Sequence, residues 1–321
     1  MKPQQLGSGF LKYVYQKSCD NLCNLWFKFV FFTLNFAFLT FNFFGCAQFK
    51  AGSEKWEVRS ISFETIEVYN ELENLLSPVA LDLDGRGNIY ILDSGKDRVI
   101  KYTKDGRFIT QFGGFGLEKG RLNNPSDLSV QNFIYIVDAG NERIVKYDLD
   151  GNFLLDFGEF DSPLSLSQDG YGNVYVVDNG DNKIKVYNPR GRLMYEFGEF
   201  GWGEGFFYNP NGIAIDNVGN LYIADNGNHR IQVLTNKGRF IRTFGENRLK
   251  NPKRIRFWNG FLFCTDESSL YVFNSRGKYI NRLNENMPQG IRLKTDIAVD
   301  FVGNLYLLEN GKIKIIRTKV E

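Results

Sequence analysis

Four aspartates recur along the chain at nearly even spacing: Asp93, Asp138, Asp178 and Asp225. A ring of carboxylates suits a hard cation such as calcium. Recurrence points elsewhere. An aspartate in an Asp-x-Gly turn accepts a hydrogen bond from its own turn backbone, so a residue repeated in every unit serves the unit. Arg98, Arg143, Lys183 and Arg230 follow at a constant offset of five residues and are placed to brace the same turns. Metal catalysis needs clustered His, Cys or carboxylate ligands. The chain has one histidine, His229, at a turn position expected to be exposed. No nucleophile motif accompanies it. The glycine-rich stretches Gly113–Gly120 and Gly201–Gly205 lack the parallel strand and helix of a phosphate loop. No catalytic residue, metal or cofactor is expected.

Binding chemistry is better represented. Each unit opens on a proline or its equivalent, and two residues later stand Ala80, Asp127, Ser165, Gly212, Arg254 and Asp296. A position that only maintains a fold stays uniform, whereas this one varies and is mostly polar. Convergent polar groups at a concave spot make a default ligand site. Asp127, Ser165, Arg254 and Asp296 are therefore candidate ligand residues, with Arg254 and Asp296 in neighbouring units and able to pair. Two long connections, Phe112–Pro125 and Phe197–Pro210, carry Phe115, Leu117, Trp202, Phe206 and Tyr208. A long loop needs a small core of its own, so packing beneath the loop is their expected role. Trp202 is kept as a further candidate ligand residue.

The elements that must hold these residues follow from the repeat. Tyrosine-aspartate blocks at Tyr90–Asp93, Tyr135–Asp138, Tyr175–Asp178 and Tyr222–Asp225 continue as Phe263–Asp266 and Tyr306–Glu309. A period of roughly 40–47 residues marks an array of units that cannot bury their apolar faces alone. Each unit reads as four short runs rich in β-branched and aromatic residues, separated by Gly/Asn/Asp clusters, hence strand, turn, strand. The last turn carries glycine at Gly106, Gly151, Gly191, Gly238 and Gly277, where a tight hairpin needs positive φ. Four-stranded antiparallel meanders at this period are β-propeller blades. The sixth copy supplies Thr295–Asp300, Asn304–Glu309 and Lys312–Thr318, then the chain ends one strand short. Trp56–Ile66 is predicted to donate that strand and close the ring. The expected fold is all-β, a six-bladed propeller with an N-terminal strand in blade six.

The unit resembles the NHL repeat. Its pattern is best seen in PNGIAID (210–216), GNLYIAD (219–225), NHRIQV (228–233) and GRFIRTFG (238–245). The fifth copy is degenerate, and the sixth keeps Gly303-Asn304-Leu305-Tyr306. The resemblance implies a six-bladed propeller. It does not choose a function, because the family spans peptide-processing lyases, sensor domains and RNA-binding modules. The lyases place several histidines on a metal, which this chain lacks.

Residues 1–45 have a different composition. Lys2, Lys12, Lys17 and Lys28 precede an uncharged, Phe-dominated run from Phe29 to Gly45, which reads as a signal sequence. Phe43-Phe44-Gly45-Cys46 resembles a bacterial lipobox, which makes Cys46 the candidate lipidation site and the tether to the membrane. An uncleaved anchor over Leu25–Gly45 or plain secretion remain the alternatives. The domain plan is a leader at 1–45, a linker at 46–55 and a propeller at 56–321. Removing the leader takes away four lysines and Asp20, so 39 − 4 = 35 basic residues face 37 − 1 = 36 acidic ones. A chain near neutrality lacks the basic excess of a nucleic-acid footprint. The cluster Lys250, Lys253, Arg254 and Arg256 reads as a solvated surface. Cys264 has no partner within the propeller and is expected to be a buried apolar residue. The resulting expectation is an extracytoplasmic, membrane-anchored propeller lipoprotein that binds a protein, peptide or glycan. The alternative is a lactonase- or lyase-like enzyme acting at the channel mouth.

Overall fold

The computed structural model describes residues 61–69, 75–266, 269–283, 296–309 and 312–320. The leader, Cys46, the linker, Trp56 and Val58 lie outside the described residues.

Six four-stranded antiparallel sheets are present. The first strand in the chain is β1 (Ile61–Tyr69). Blade one is β2 (Pro78–Leu83), β3 (Ile89–Asp93), β4 (Arg98–Tyr102) and β5 (Phe108–Gly113). Blade two is β6 (Asp127–Val130), β7 (Ile134–Asp138), β8 (Arg143–Tyr147) and β9 (Phe153–Phe157). Blade three is β10 (Pro163–Gln168), β11 (Val174–Asp178), β12 (Lys183–Tyr187) and β13 (Leu193–Phe197). Blade four is β14 (Pro210–Ile215), β15 (Leu221–Asp225), β16 (Arg230–Leu234) and β17 (Phe240–Phe244). Blade five is β18 (Ile255–Trp258), β19 (Phe261–Thr265), β20 (Leu270–Asn274) and β21 (Tyr279–Leu283). Blade six has β22 (Ile297–Val299), β23 (Asn304–Glu309) and β24 (Lys312–Val320), and its fourth place is taken by β1.

Closure is therefore an antiparallel pairing of eight residue pairs, from Ile61 opposite Val320 to Tyr69 opposite Ile313, with a bulge between Thr65 and Glu67. The closing strand runs a few residues further along the chain than its apolar composition suggests. The ring is also closed by packing. Six apolar clusters fill the six blade interfaces. The one between blades six and one joins Leu81, Ile89, Ile91 and Ile100 to Ala298, Tyr306, Leu308 and Ile313. The second strands β3, β7, β11, β15 and β19 are buried along their whole length. Each lies mid-blade with a neighbouring blade on both faces, so it carries continuous apolar runs rather than alternation. Full burial of one such Leu or Ile contributes about 1.5–3 kcal/mol.

Turn chemistry fixes two faces. The blade-to-blade connections and second-to-third-strand turns share the upper face. The first-to-second and third-to-fourth-strand turns share the lower face. Gly106, Gly151, Gly191, Gly238 and Gly277 all have φ between 74° and 87°, as the hairpin requires. The first-to-second turns use a different device. Asp169, Asp216 and Asp300 each accept two backbone amides and the Asn side chain four residues on. The aspartate thereby folds its own hairpin.

Candidate functional site

The recurring upper-face aspartates do something else. Asp93 accepts from the amides of Leu76 and Ser77, and Asp178 from those of Asp161 and Ser162. Asp138 and Asp225 accept from the amides of Asn123 and Tyr208. The reading of these residues as structural matches this geometry, but the partner differs from the one expected. Each carboxylate ties down the connection that enters its own blade, about 15–17 residues earlier, rather than its own turn backbone, and Asp138 and Asp225 also accept from the turn side chains Asn141 and Asn228. Burial raises Asp138 above the ordinary carboxylate range, against Asn123, Asn141 and Arg143. Arg98, Arg143 and Arg230 pair with these aspartates at 3.6, 2.9 and 2.8 Å. In blade three Lys185 takes that role at 2.7 Å, and Lys183 pairs with Glu196. His229 lies exposed in the blade-four turn, with Nδ1 against the Lys250 carbonyl. Among the described residues, no group of three or more His, Cys, Asp or Glu is arranged to hold a metal. Cys264 is buried and free, and burial raises its thiol.

Four of the candidate ligand residues converge at the upper end of the central channel. Asp127 from blade two and Asp296 from blade six are fully buried there, as is Ser165. Arg254 from blade five crosses the axis. Its Nη1 lies 3.1 Å from Asp127 Oδ2, its Nε 3.8 Å from Asp296 Oδ1, and its Nη2 donates to the Ser126 carbonyl at 2.7 Å. Ser165 Oγ donates to Asp127 Oδ2 at 2.6 Å. Arg256 adds a 2.9 Å contact to Asp296 Oδ2. Arg254 and Arg256 are thus channel residues, correcting their reading as part of a solvated basic surface. Burial tends to lower Arg256, but Asp296, Asp127 and Asp82 outweigh it and hold the guanidinium above its ordinary value. Burial raises the Asp296 carboxyl, opposed by Arg256 and Arg254.

The reason for carboxylates here lies in the backbone. The innermost strand of each blade has one edge with no neighbouring strand, so its inward amides need acceptors. Asp296 Oδ2 accepts the Leu81 amide, Asp82 Oδ2 the Val130 amide and Asp127 Oδ2 the Leu166 amide, at 3.1, 2.8 and 3.1 Å. Each carboxylate caps the next blade. Blade four uses Gly212 instead, where an added Cβ would strike the Lys253 carbonyl. The two blades approach too closely there for a side chain.

Below this network the channel opens into a cavity of about 260 Å³ lined by all six blades, including Asp82, Gln131, Ser167, Gln168 and Arg256. Asp82 is half-buried and caps Val130 and Leu83. Burial pushes its carboxyl up to about 6, against Arg256 and those two amides. Sequence reasoning passed over Asp82 and placed Arg256 on a solvated surface. Each stands two residues after a position it did single out, Ala80 and Arg254, and period-two alternation puts i and i+2 on one face.

Trp202 is not part of the channel. It sits on the 198–209 connection, 69% exposed, with Phe200 in edge-to-face contact at 5.3 Å. Phe200 makes a second such contact with Tyr208 at 5.4 Å. The core beneath this loop is Phe207, and beneath the 114–126 loop it is Leu122. Phe115, Leu117, Trp202, Phe206 and Tyr208 are instead exposed, correcting their expected role as loop packing. A parallel bridge in each loop (Phe115 to Leu122, Phe200 to Phe207) holds the short arm against the returning chain.

Residues 207–234 match the NHL repeat family. No curated protein sequence matches the chain. Among solved structures, a streptogramin B lyase superposes with a TM-score of 0.59 at 15% identity, covering 82% of this chain and 100% of that one. A virginiamycin B lyase from Staphylococcus aureus gives 0.58 at 14% identity, covering 80% and 99%. A chain of a nidogen/laminin complex gives 0.56 at 19% identity, covering 69% and 84%. At these identities the likeness is one of fold. The chain is a six-bladed β-propeller of four-stranded antiparallel blades, with an NHL repeat in its fourth blade.

Proposed function

We propose that this propeller is a binding module held at the bacterial cell envelope through a lipid on Cys46, with its upper face turned to a protein, peptide or glycan partner. The observation that carries this reading is the aromatic group Phe200, Trp202 and Tyr208. Three large rings stand exposed on a loop that is itself packed and hydrogen-bonded, with Gly201 and Phe207 amides bonded across its base. Rigid Trp and Tyr side chains are the residue types that anchor interfaces. The nidogen/laminin neighbour has this fold within a complex of two proteins. The Trp202→Ala/Tyr208→Ala double variant, purified from membranes beside the wild type, tests the reading. Loss of a co-purifying partner with an unchanged melting temperature is expected. Full retention of the same partner refutes it.

A second reading is favoured by one observation. Asp82 faces a cavity beside Arg256, with its carboxyl raised to about 6. A general base at neutral pH needs that environment. The lyase neighbours share the fold, which makes a lyase- or lactonase-like reaction the enzyme alternative.

A further inference from the structure

The lower face has a pattern that the upper-face reading does not use. Its inner circle is formed by the first-to-second-strand hairpins, which surround the lower channel mouth. Four apolar residues protrude from their tips: Tyr171, Val218, Phe301 and Val302, with exposures of 89, 83, 73 and 56%. None is needed by its hairpin, because the turns are built by Asp169, Asp216 and Asp300 through backbone and Asn contacts. Outside this circle lie the third-to-fourth-strand hairpins. In blades three, four and five they carry Arg190, Arg192, Lys237, Arg239, Arg276 and Lys278, all exposed, and no acidic residue.

We propose that this lower face docks on an anionic lipid surface. Apolar tips flanked by cations along the arc of blades three to five, with the acidic outer hairpin (Asp148, Asp150) confined to blade two, are an arrangement that inserts a few side chains among headgroups while basic residues meet lipid phosphate. A second copy of the same face fits less well, since these six cations would find only Asp105, Asp148 and Asp150 as acidic partners among the outer hairpins of blades one to five. Chain direction adds a separate support. β24 descends from the upper face at Lys312 to the lower face at Val320, and β1 pairs with it antiparallel, Ile61 against Val320. The chain therefore enters the propeller on the lower face. Cys46 precedes Ile61 by 61 − 46 = 15 residues, a reach of at most roughly 50 Å. Only this support rests on the tether proposed above; the composition of the face stands without it. A membrane-facing lower side also leaves Trp202 and Tyr208 pointing away from the lipid.

The test is co-sedimentation of the full chain with vesicles of phosphatidylcholine alone or with about a third phosphatidylglycerol. The ratio of the two partitions removes any equal contribution from the leader. The wild type is expected to prefer anionic vesicles at least about 10-fold at low salt, the effect of little more than one basic side chain at such a surface. Added salt should erase the preference. The Arg190→Glu/Arg192→Glu/Lys237→Glu/Arg239→Glu variant should lose it. The Val218→Asp/Phe301→Asp variant should bind anionic vesicles several-fold more weakly. All three proteins should melt alike, since every substituted side chain lies in a turn at the surface. No anionic preference in the wild type, or equal binding by both variants, overturns the proposal. Binding to soluble polyglutamate as strong as to anionic vesicles, and indifferent to Val218→Asp/Phe301→Asp, assigns the face to an acidic protein and overturns the lipid.

Discussion

Arg254 and Asp127 belong to blades five and two, opposite each other across the ring, yet their side chains meet at 3.1 Å. The same guanidinium also approaches Asp296 and bonds to the Ser126 carbonyl. One residue thus links blades two, five and six at the axis, where no strand pairing connects opposite blades. Removing it takes the ion-pair partner from the fully buried Asp127 and leaves Asp296 to Arg256 alone. Breaking a buried pair from one side costs about 3–5 kcal/mol, so Arg254→Met should lower stability in urea by that order. Arg254→Met/Asp127→Asn should cost clearly less than the sum of its single variants. An additive cycle would show that the two groups are not coupled.

Asp82 gives the channel a pH signature. Its carboxyl is raised from 3.8 to about 6 in the folded protein. Between these values the folded state binds more protons than the unfolded one, so stability falls as pH rises through about 4 to 6. Asp296 is raised also and acts with the same sign. For Asp82 the loss is on the order of 2 kcal/mol. Asp82→Asn keeps an oxygen for the Val130 or Leu83 amide and should flatten this part of the profile. Urea midpoints at pH 4.5 and 7.5 for both proteins measure it; equal slopes would exclude Asp82 as the source.

Gly212 tests the close approach of blades four and five. An added Cβ meets the Lys253 carbonyl and the Arg254 backbone, neither of which can rotate away. Gly212→Ala should cost about 1–3 kcal/mol, the usual range for overpacking, and shift Arg254 from its network. Gly85→Ala is the control, because nothing lies within 4 Å of its added Cβ. Thermal melts showing equal effects for the two would remove the steric argument.

Much of this architecture is legible in the amino-acid order because it is local. A Gly-Asn-x-Tyr start encodes a buried second strand and its hairpin within about ten residues in blades one, three, four and six, and blades two and five reach the same strand from the variant turns Gln131-Asn132 and Asn259-Gly260. Partner identity is not local. Asp93 reaches back to Leu76 and Ser77, and Lys185 replaces Lys183 on Asp178, because strand geometry decides which side chain arrives. The channel is the extreme case. Asp127 and Arg254 are separated by about half of the propeller in sequence, so composition reveals a varied polar position but not a mutual network. Phe115 and Trp202 show the reverse error. A small core was needed beneath each loop, but one buried residue, Leu122 or Phe207, is sufficient to fill it.

Closure makes the last prediction. β24 is a nine-residue strand whose outer edge is covered only by β1. An uncovered edge of that length is a template for another chain, and the loss also loosens the interface in which Ile313 and Ile315 pack against blade one. The destabilisation should take up much of the roughly 5–15 kcal/mol that holds a domain folded. Deletion of residues 1–69 should therefore yield aggregates on gel filtration. Deletion of residues 1–45, which spares β1, should leave a monodisperse protein with a cooperative melt. The difference between the two truncations isolates the strand from the leader. If both melt at the same temperature, pairing with β1 is not what keeps the ring shut, and packing between blades six and one is sufficient by itself.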